Sequence, residues 1–231
     1  MRDIGIALGD LKFTCLLVLM GFFFWLPFWA FFNLSAVYVD RNLDTVRLYE
    51  NIRAVLGSGF ANFFSSVDEK GVRRILGETL SSTGYIIIVL QLFVSRISER
   101  FKPMPTFLFG LILLTLGFGV IGLAAVTVPA IVFLGIFIFA IGEMVSSPRI
   151  QEYLTWIAPK EKAGLYMGMN FLATMIGAAL SGVTYTRLSG YFNTQGSPQY
   201  TWYVLAAHSA LGIVALGTYT KIIGEFKEQG Q

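Results

Sequence analysis

The sequence predicts an all-α, polytopic membrane protein with six transmembrane helices. Apolar residues make up 55% of its 231 positions and charged residues 13%, about half the charged share of an average soluble domain. A soluble protein of this composition could not cover its apolar surface with polar side chains. The apolar residues are also grouped in six stretches, most of them near the ~20 residues that a helix needs to cross a bilayer core.

Proline, glycine and charged clusters separate these stretches, as expected of segments that interrupt helices. No stretch alternates apolar and polar residues as a strand would. A helix also satisfies its own backbone hydrogen bonds in lipid. The first stretch contains Pro27. The predicted spans are residues 13–39, 79–93, 107–126, 129–145, 164–188 and 202–222.

The lysines and arginines of the short loops predict the sidedness of the chain. Only Arg187 belongs to the short loops on one side. We therefore predict a multi-pass protein of the cell (inner or plasma) membrane with both termini in the cytoplasm. The side with the termini carries Arg2, Lys12, Arg96, Arg100, Lys102, Arg149, Lys160, Lys162, Lys221 and Lys227.

Residues 40–78 form a long extracytoplasmic loop in this arrangement, with balanced acidic and basic residues. Asp44 is placed to cap one helix, and a second helix start is predicted at Ser66. We expect one or two short amphipathic helices at the membrane interface; a solvated, irregular loop is the alternative. The apolar face of the first helix would consist of Val46, Tyr49, Ile52 and Leu56.

Small residues predict close helix packing in two spans. The fifth span carries Gly164 and Gly168 at a spacing of four residues, and Gly177 and Ser181 at the same spacing. The corresponding glycines of the third span are Gly110, Gly117, Gly119 and Gly122.

Several functional classes are disfavoured. The net charge of +3 is not gathered into a basic patch, so we predict no nucleic-acid partner. Cys15 is the only cysteine, which precludes an intrachain disulfide, and the first apolar run is too long and aromatic for a cleavable signal peptide. The absence of a GxxxxGK[ST] loop argues against an ATP-driven pump. We predict no catalytic residue, no metal site and no cofactor, since His208 is the only histidine.

Three motifs resemble one transporter superfamily, and they occur in the expected order. Gly142–Pro148, followed by Ala158–Lys160 and Gly164–Gly168, is similar to the tenth helix, the cytoplasmic loop and the eleventh helix of major facilitator transporters. Ser95–Lys102 resembles their charged loop between helices eight and nine. Phe28–Asn33 is similar to the seventh helix of the proton-coupled oligopeptide transporters, the branch that the chain resembles most.

The resemblance implies the C-terminal half, helices seven to twelve, of a major facilitator fold. It implies no enzyme but a secondary active transporter, with proton-coupled uptake or efflux of a small solute such as a peptide by alternating access. The implied partners are the lipid bilayer, protons, the solute, and an N-terminal six-helix half or a second copy. The chain departs from the oligopeptide branch at Asn33 and Leu34, where that branch has an acidic residue and glutamine, so a sister family with another solute is the alternative.

Two further functions stay open. A six-helix channel or membrane enzyme would need a polar helix face or a cluster of reactive side chains at membrane depth, and the spans offer little of either. A truncated, non-transporting fragment or an accessory membrane subunit would show the same spans.

Glu143 is the principal candidate for substrate and proton binding, because it is the only acidic residue inside a predicted span. A charge there costs about 2.5–3.5 kcal/mol on insertion scales, so the side chain should face the bundle interior or a water-filled cavity. The resemblance implies that it couples protons or binds the amino end of a substrate. The alternative is a structural ion pair with Arg149, which the predicted position near the cytoplasmic end of the span favours.

Other polar residues of the spans could either face a cavity or tie helices together. For Asn33 and Gln91 the two roles are equally expected. The other polar candidates are Tyr85, Asn170 and Thr174. His208 is expected to have a packing or hydrogen-bonding role. Trp25 and Trp29 are expected to pack.

A cytoplasmic charge network is the last candidate, with Glu99, Arg100, Lys102 and Arg149 as gating charges. Contacts present in only one transport state shift the population toward that state. The alternative role for these cations is a simple positive-inside anchor.

Overall fold

The computed structural model describes residues 10–223 and contains six helices long and apolar enough to cross a membrane. The predicted all-α polytopic membrane protein is thereby confirmed. Arg2 and Lys227, used above for sidedness, lie outside the described residues. The six spans are Leu11–Asn42, Gly77–Ser98, Pro103–Leu123, Ile131–Ile157, Lys160–Thr194 and Tyr200–Ile223.

The first span changes its winding ahead of a proline. Helix α1 (Leu11–Met20) continues through a π-helical turn, Gly21–Trp25, into α2 (Leu26–Asn42). Pro27 has no backbone N–H. A carbonyl group in the preceding turn therefore loses its helical hydrogen-bond donor. The wider turn accommodates this loss, with the Leu26 N–H donating to the carbonyl of Gly21.

The predicted extracytoplasmic loop (residues 40–78, the outer loop) is ordered rather than irregular. It contains α3 (Thr45–Leu56), α4 (Ser58–Phe63) and an antiparallel hairpin of β1 (Ser65–Val67) and β2 (Arg73–Ile75). Asp44 caps α3 as predicted, accepting hydrogen bonds from the backbone N–H groups of two first-turn residues at 3.1 and 2.9 Å.

Two details of the loop prediction were wrong. Ser66 begins no helix but pairs with the second strand, because the Asp68 carboxylate accepts from the backbone N–H groups of Lys70 and Val72, both at 2.9 Å, and closes a tight turn instead. The buried face of α3 also differs from the predicted one. Leu48, Tyr49 and Ile52 are buried, whereas Val46 and Leu56 are exposed.

The loop packs on the adjoining ends of two spans. Phe64 is buried, and its ring centroid lies 4.9 Å from that of Tyr85 on the second span and 6.0 Å from that of Phe133 on the fourth. Ile75 of the hairpin is fully buried as well. The buried residues of the loop therefore continue the hydrophobic core of the bundle.

The second span is broken near the end that follows this loop. It consists of α5 (Gly77–Ser81) and α6 (Gly84–Ser98), with Ser82 in an extended conformation between them. The Gly77 N–H donates to the Asp40 carboxylate at 2.7 Å, and this hydrogen bond joins the end of the first span to the start of the second.

The third and fourth spans, α7 (Pro103–Leu123) and α8 (Ile131–Ile157), approach each other backbone to backbone. A Cβ atom added at Gly117 would lie 2.9 Å from the Phe139 nitrogen, and one at Gly142 would lie 2.8 Å from the Leu114 nitrogen. Glycine is therefore required at both contacts.

The fourth span is longer than predicted. It was expected to end at residue 145, but it continues through Pro148 to Ile157. Proline is tolerated inside membrane helices, because neighbouring helices and side chains can satisfy the backbone group that it frees.

The fifth and sixth spans are α9 (Ala163–Thr194), preceded by a 3₁₀ turn at Lys160–Lys162, and α10 (Tyr200–Ile223). The predicted close packing occurs at Gly177, where an added Cβ would lie 2.8 Å from the Trp25 Cβ. It does not occur at Gly164 or Gly168, which have no neighbour within 4 Å among the described residues. These two glycines lie on an open side of the helix.

Replacing Gly117 by alanine should destabilise the bundle by about 1–3 kcal/mol, the typical cost of overpacking a tight contact. Gly119→Ala is the matched control on the same helix, because an added Cβ there meets no described residue within 4 Å. Heat-induced unfolding in detergent micelles would measure both variants. Equal unfolding midpoints would contradict the proposed backbone contact.

Candidate substrate and proton site

Glu143 lies near the middle of the fourth span. About 18 Å of helix separates it from Ile131 and about 21 Å from Ile157, at ~1.5 Å per residue. The helix continues past Pro148, so Glu143 is farther from the end of its helix than the predicted span implied. The side chain is half-buried.

A threonine from the second span holds the Glu143 carboxyl group. The Thr83 hydroxyl donates to Oε2 of Glu143 at 3.0 Å. Thr83 is buried and lies directly at the break between α5 and α6, so the extended Ser82 sets the position of the donor. The pair connects the second span to the fourth.

The structural alternative for Glu143 was an ion pair with Arg149, and this expectation was wrong. Arg149 forms its ion pair with Glu152, one turn further along the same helix. Glu143 forms none of the ion pairs found within residues 10–223. Its carboxyl group is therefore available to a proton or to a cationic group.

An aromatic cluster lies one helical turn from Glu143 and is centred on Phe139. Phe31 stacks on Phe139 with a centroid separation of 3.8 Å, and Phe28 and Phe32 contact the same ring at 5.9 and 6.1 Å. Trp29 packs beside Phe28 and Phe32, and its buried Nε1 has no hydrogen-bond partner among the described residues. A donor of this kind is the sort of group that a ligand can satisfy.

Asn33 joins the first span to the fifth. Its Nδ2 donates to the Ser181 hydroxyl at 3.0 Å, while the rest of the side chain is exposed. Ser181 itself is fully buried. Asn33 thus makes an interhelical bond from an exposed position.

Asn170 has a packing role in this structure. It is buried, and its Oδ1 accepts a hydrogen bond from Trp25 Nε1 at 3.2 Å. Thr174 donates to the Asn170 carbonyl of its own helix at 2.9 Å. The bond from Trp25 fastens the π-helical turn of the first span to the fifth span.

The hydrogen bonds found for Gln91 and Tyr85 do not involve Glu143. Gln91 donates to Ser95 on its own helix at 2.8 Å, and the Tyr85 hydroxyl donates to the Leu80 carbonyl at 3.3 Å. The five substrate and proton candidates therefore have separate hydrogen-bond partners. Sequence reasoning missed Thr83 as a partner of Glu143, although the polar run Ser81-Ser82-Thr83-Gly84 inside an apolar stretch could have indicated a helix break.

Arg149 organises the charged end of the bundle. It is 4% exposed, so it belongs to the interior and not to a loop. Its guanidinium group donates to the carbonyls of Ser98 and Phe101 and thereby holds the turn between the second and third spans. Glu99 lines a small polar niche of about 70 Å³ together with Arg149 and Glu152. Arg149 thus contacts the backbone of the segment that carries Glu99, Arg100 and Lys102.

His208 lies between the fifth and sixth spans. Its Nδ1 shares a short hydrogen bond with the hydroxyl of Tyr185, and its ring packs against Phe22 and Phe23 at centroid distances of 4.8 and 5.5 Å. The histidine therefore packs beside the π-helical turn of the first span.

The Thr83–Glu143 bond can be measured by a double-mutant cycle that combines Thr83→Val with Glu143→Leu. We expect a coupling of about 0.6–1.7 kcal/mol in unfolding free energy, the range of hydrogen bonds between membrane helices. Thr115→Val is the control, because this hydroxyl bonds the Leu111 carbonyl of its own helix. Unfolding in mixed micelles would show additive effects for Thr115 and coupled effects for Thr83; additivity for both would exclude the bond.

Two curated proteins are similar to part of the chain. Both are named multidrug resistance protein MdtH, one from Aeromonas salmonicida and one from Aeromonas hydrophila, and each is 31% identical over 121 residues. The match covers 52% of this chain and 30% of each relative. No protein-family model and no solved structure matches the chain. This partial similarity supports a relationship to the major facilitator superfamily, and it gives no support for the oligopeptide branch.

Proposed function

We propose that the chain is the C-terminal half, helices seven to twelve, of a proton-coupled secondary transporter, and that Glu143 binds the proton or a cationic group of the solute. The observation that carries this proposal is the Glu143 carboxyl group in the middle of a membrane span, with one hydroxyl donor and no ion pair within residues 10–223. A fixed structural charge at such a depth would be expected to have a cationic partner. A group that exchanges protons or solute needs that position to be open.

The proposed solute is a small, drug-like organic cation. The relatives are named for multidrug resistance, and a carboxylate near aromatic rings can hold a cation by charge and by cation–π attraction. The ring of Phe32 is 37% exposed and offers part of this surface. A peptide, which also carries a cationic amino end, is the second candidate solute.

A partner of comparable size would complete the transporter. The match covers only 30% of each relative, so the relatives extend well beyond the matched segment. The second span leaves Ile88, Val89 and Leu92 at least 75% exposed on one face. An N-terminal six-helix half, or a second copy of this chain, could pack there and rock against this bundle around the shared site.

The charged end of the bundle fits a gate in this proposal. Arg149 donates hydrogen bonds to two backbone carbonyls of the turn that carries Glu99, Arg100 and Lys102, and so holds this turn in place. If this contact forms in only one transport state, it stabilises that state. Even when Arg149 is left out, the lysines and arginines of the short loops lie mostly on the side of the termini. This distribution favours cytoplasmic termini.

Glu143→Gln should abolish proton-driven accumulation, because the amide can neither take up a proton nor neutralise a cation. Glu50→Gln is the control, since Glu50 forms a solvent-exposed pair with Arg53 in the outer loop. The assay is uptake of cationic dyes and of dipeptides into proteoliposomes under an imposed proton gradient. The vesicles contain the chain alone or together with the product of the open reading frame immediately upstream of its gene.

Unchanged accumulation by the Glu143→Gln variant would return Glu143 to a structural role. Uptake by the chain alone as a monomer would exclude the half-transporter proposal. Accumulation of dipeptides but not dyes would favour the peptide alternative for the solute.

Single cysteines should report the sidedness in intact cells. Cys15 is the only native cysteine, so a Cys15→Ser background leaves no competing thiol. With cytoplasmic termini, Gln195→Cys should react with a membrane-impermeant maleimide and Glu161→Cys should not; both positions are exposed. The opposite labelling pattern would invert the proposed topology.

A further inference from the structure

The outer loop crosses the ends of the two spans that the Thr83–Glu143 bond connects. Phe64 directly follows α4, and this residue is only 1% exposed. Its ring meets that of Tyr85 in the second span edge-on at a centroid distance of 4.9 Å, and that of Phe133 in the fourth span at 6.0 Å. A single side chain of the loop therefore bridges these two spans.

Two neighbouring rings extend this bridge. The Phe60 ring lies 5.6 Å from that of Phe133, and the Phe63 ring lies 6.3 Å from that of Tyr85. Both rings also pack on Phe64, at centroid distances of 5.1 and 4.9 Å. Phe60, Phe63 and Phe64 thus form an aromatic strap across the two spans. Within residues 10–223, only Phe64 of the strap has ring contacts to both spans.

The strap also packs against the residue that braces the helix break beside Thr83. The hydroxyl of Tyr85 donates to the Leu80 carbonyl at 3.3 Å, and this bond crosses the break between α5 and α6. The Phe64 carbonyl accepts from the Leu76 N–H at 2.9 Å, just before α5 begins. The loop is thereby attached on both sides of the break, so the contact between Phe64 and Tyr85 supports the position of Thr83.

We propose that the aromatic strap holds the second and fourth spans together on the loop side of Glu143, and that Phe64 must leave one of its two ring contacts before the site opens to that side. Phe133 precedes Glu143 by about 15 Å of helix, at ~1.5 Å per residue. If the spans separate at this end, the Phe64 ring cannot follow both helices, so one contact is lost. Contacts present in only one state stabilise that state. The strap has this role only at a site that exchanges protons or solute, so it rests on the function proposed for Glu143.

The first test measures access to the site and does not require transport. Glu143→Cys in a Cys15→Ser background is labelled with a membrane-impermeant maleimide in right-side-out and in inside-out membrane vesicles. Adding Phe64→Leu, which keeps an apolar side chain in the loop, should raise the labelling rate at least about fivefold from the loop side only, because two aromatic contacts are lost. Phe63→Leu is the matched control, since its ring is 64% exposed and contacts that of Tyr85 in the second span. It should change the rate by less than about twofold.

An unchanged labelling rate in the Phe64→Leu variant would overturn the proposed strap, because the ring would then not restrain the site. An equal rise in both leucine variants would overturn it as well, since a general loosening of the loop would explain that result. All of these variants carry Glu143→Cys, so the loss of the carboxylate that Thr83 holds is common to them.

A reversible crosslink tests the strap with Phe64 in place. Phe60→Cys and Phe133→Cys are joined with a reducible bis-methanethiosulfonate reagent in the Cys15→Ser background. Proton-driven accumulation in the proteoliposome assay should fall at least about fivefold and should recover on reduction, because the loop can no longer leave the fourth span.

The control crosslink joins Val67→Cys to Val72→Cys, two exposed positions near the turn of the hairpin, and should leave accumulation unchanged. Full accumulation by the crosslinked Phe60, Phe133 pair would overturn the strap and leave the proposed function of Glu143 intact if Glu143→Gln still abolishes accumulation. Absence of accumulation before crosslinking would contradict the proposed function instead, and the labelling rates would then decide on the strap.

Discussion

The backbone contact between the third and fourth spans is the constraint on which the rest of the bundle depends. Lipid removes the hydrophobic drive for helices to associate, so close packing and hydrogen bonds must replace it. Gly117 and Gly142 remove side chains where the two helices are nearest, which lets dispersion contacts accumulate along their length. Phe139 lies on this interface, and its ring is consequently fixed between Phe31 and Phe118. Glu143 follows one turn later on the same rigid helix.

A fixed fourth span determines how the second span is held. Glu143 bonds Thr83 at the helix break, and Arg149 bonds the carbonyl of Ser98 at the other end. Between these two attachments, residues 88–93 of the second span are mostly exposed. The helix is thus anchored at its ends and largely free along one middle face. Such an arrangement leaves room for a partner bundle without disturbing the glycine contact.

The predictions that succeeded depend on properties of short stretches of the sequence. The thickness of the hydrocarbon core sets the length of a span, so apolar length alone indicates six helices. The cap at Asp44 was predictable because it depends on neighbouring residues only. The turn at Asp68 was not, since the same carboxylate could cap a helix or close a hairpin, and packing of the strands beneath α3 decides between them. The partner of Glu143 was hidden for the same reason: the break at Ser82 depends on how α5 packs against the first span.

The helix interfaces of the bundle differ in the polar interactions that resist sliding of one helix along another. The first and fifth spans are joined at three depths by polar pairs, Trp25–Asn170, Asn33–Ser181 and Asn42–Asn193. Sliding these helices would leave several polar groups unpaired in an apolar environment, at a cost for each. The pair formed by Thr83 and Glu143 is a single hydroxyl–carboxyl bond that a proton or a cation can compete for. We therefore expect ligand binding at Glu143 to loosen the second span from the fourth first, and Tyr85, two residues beyond Thr83, would pass that change to Phe64 of the outer loop.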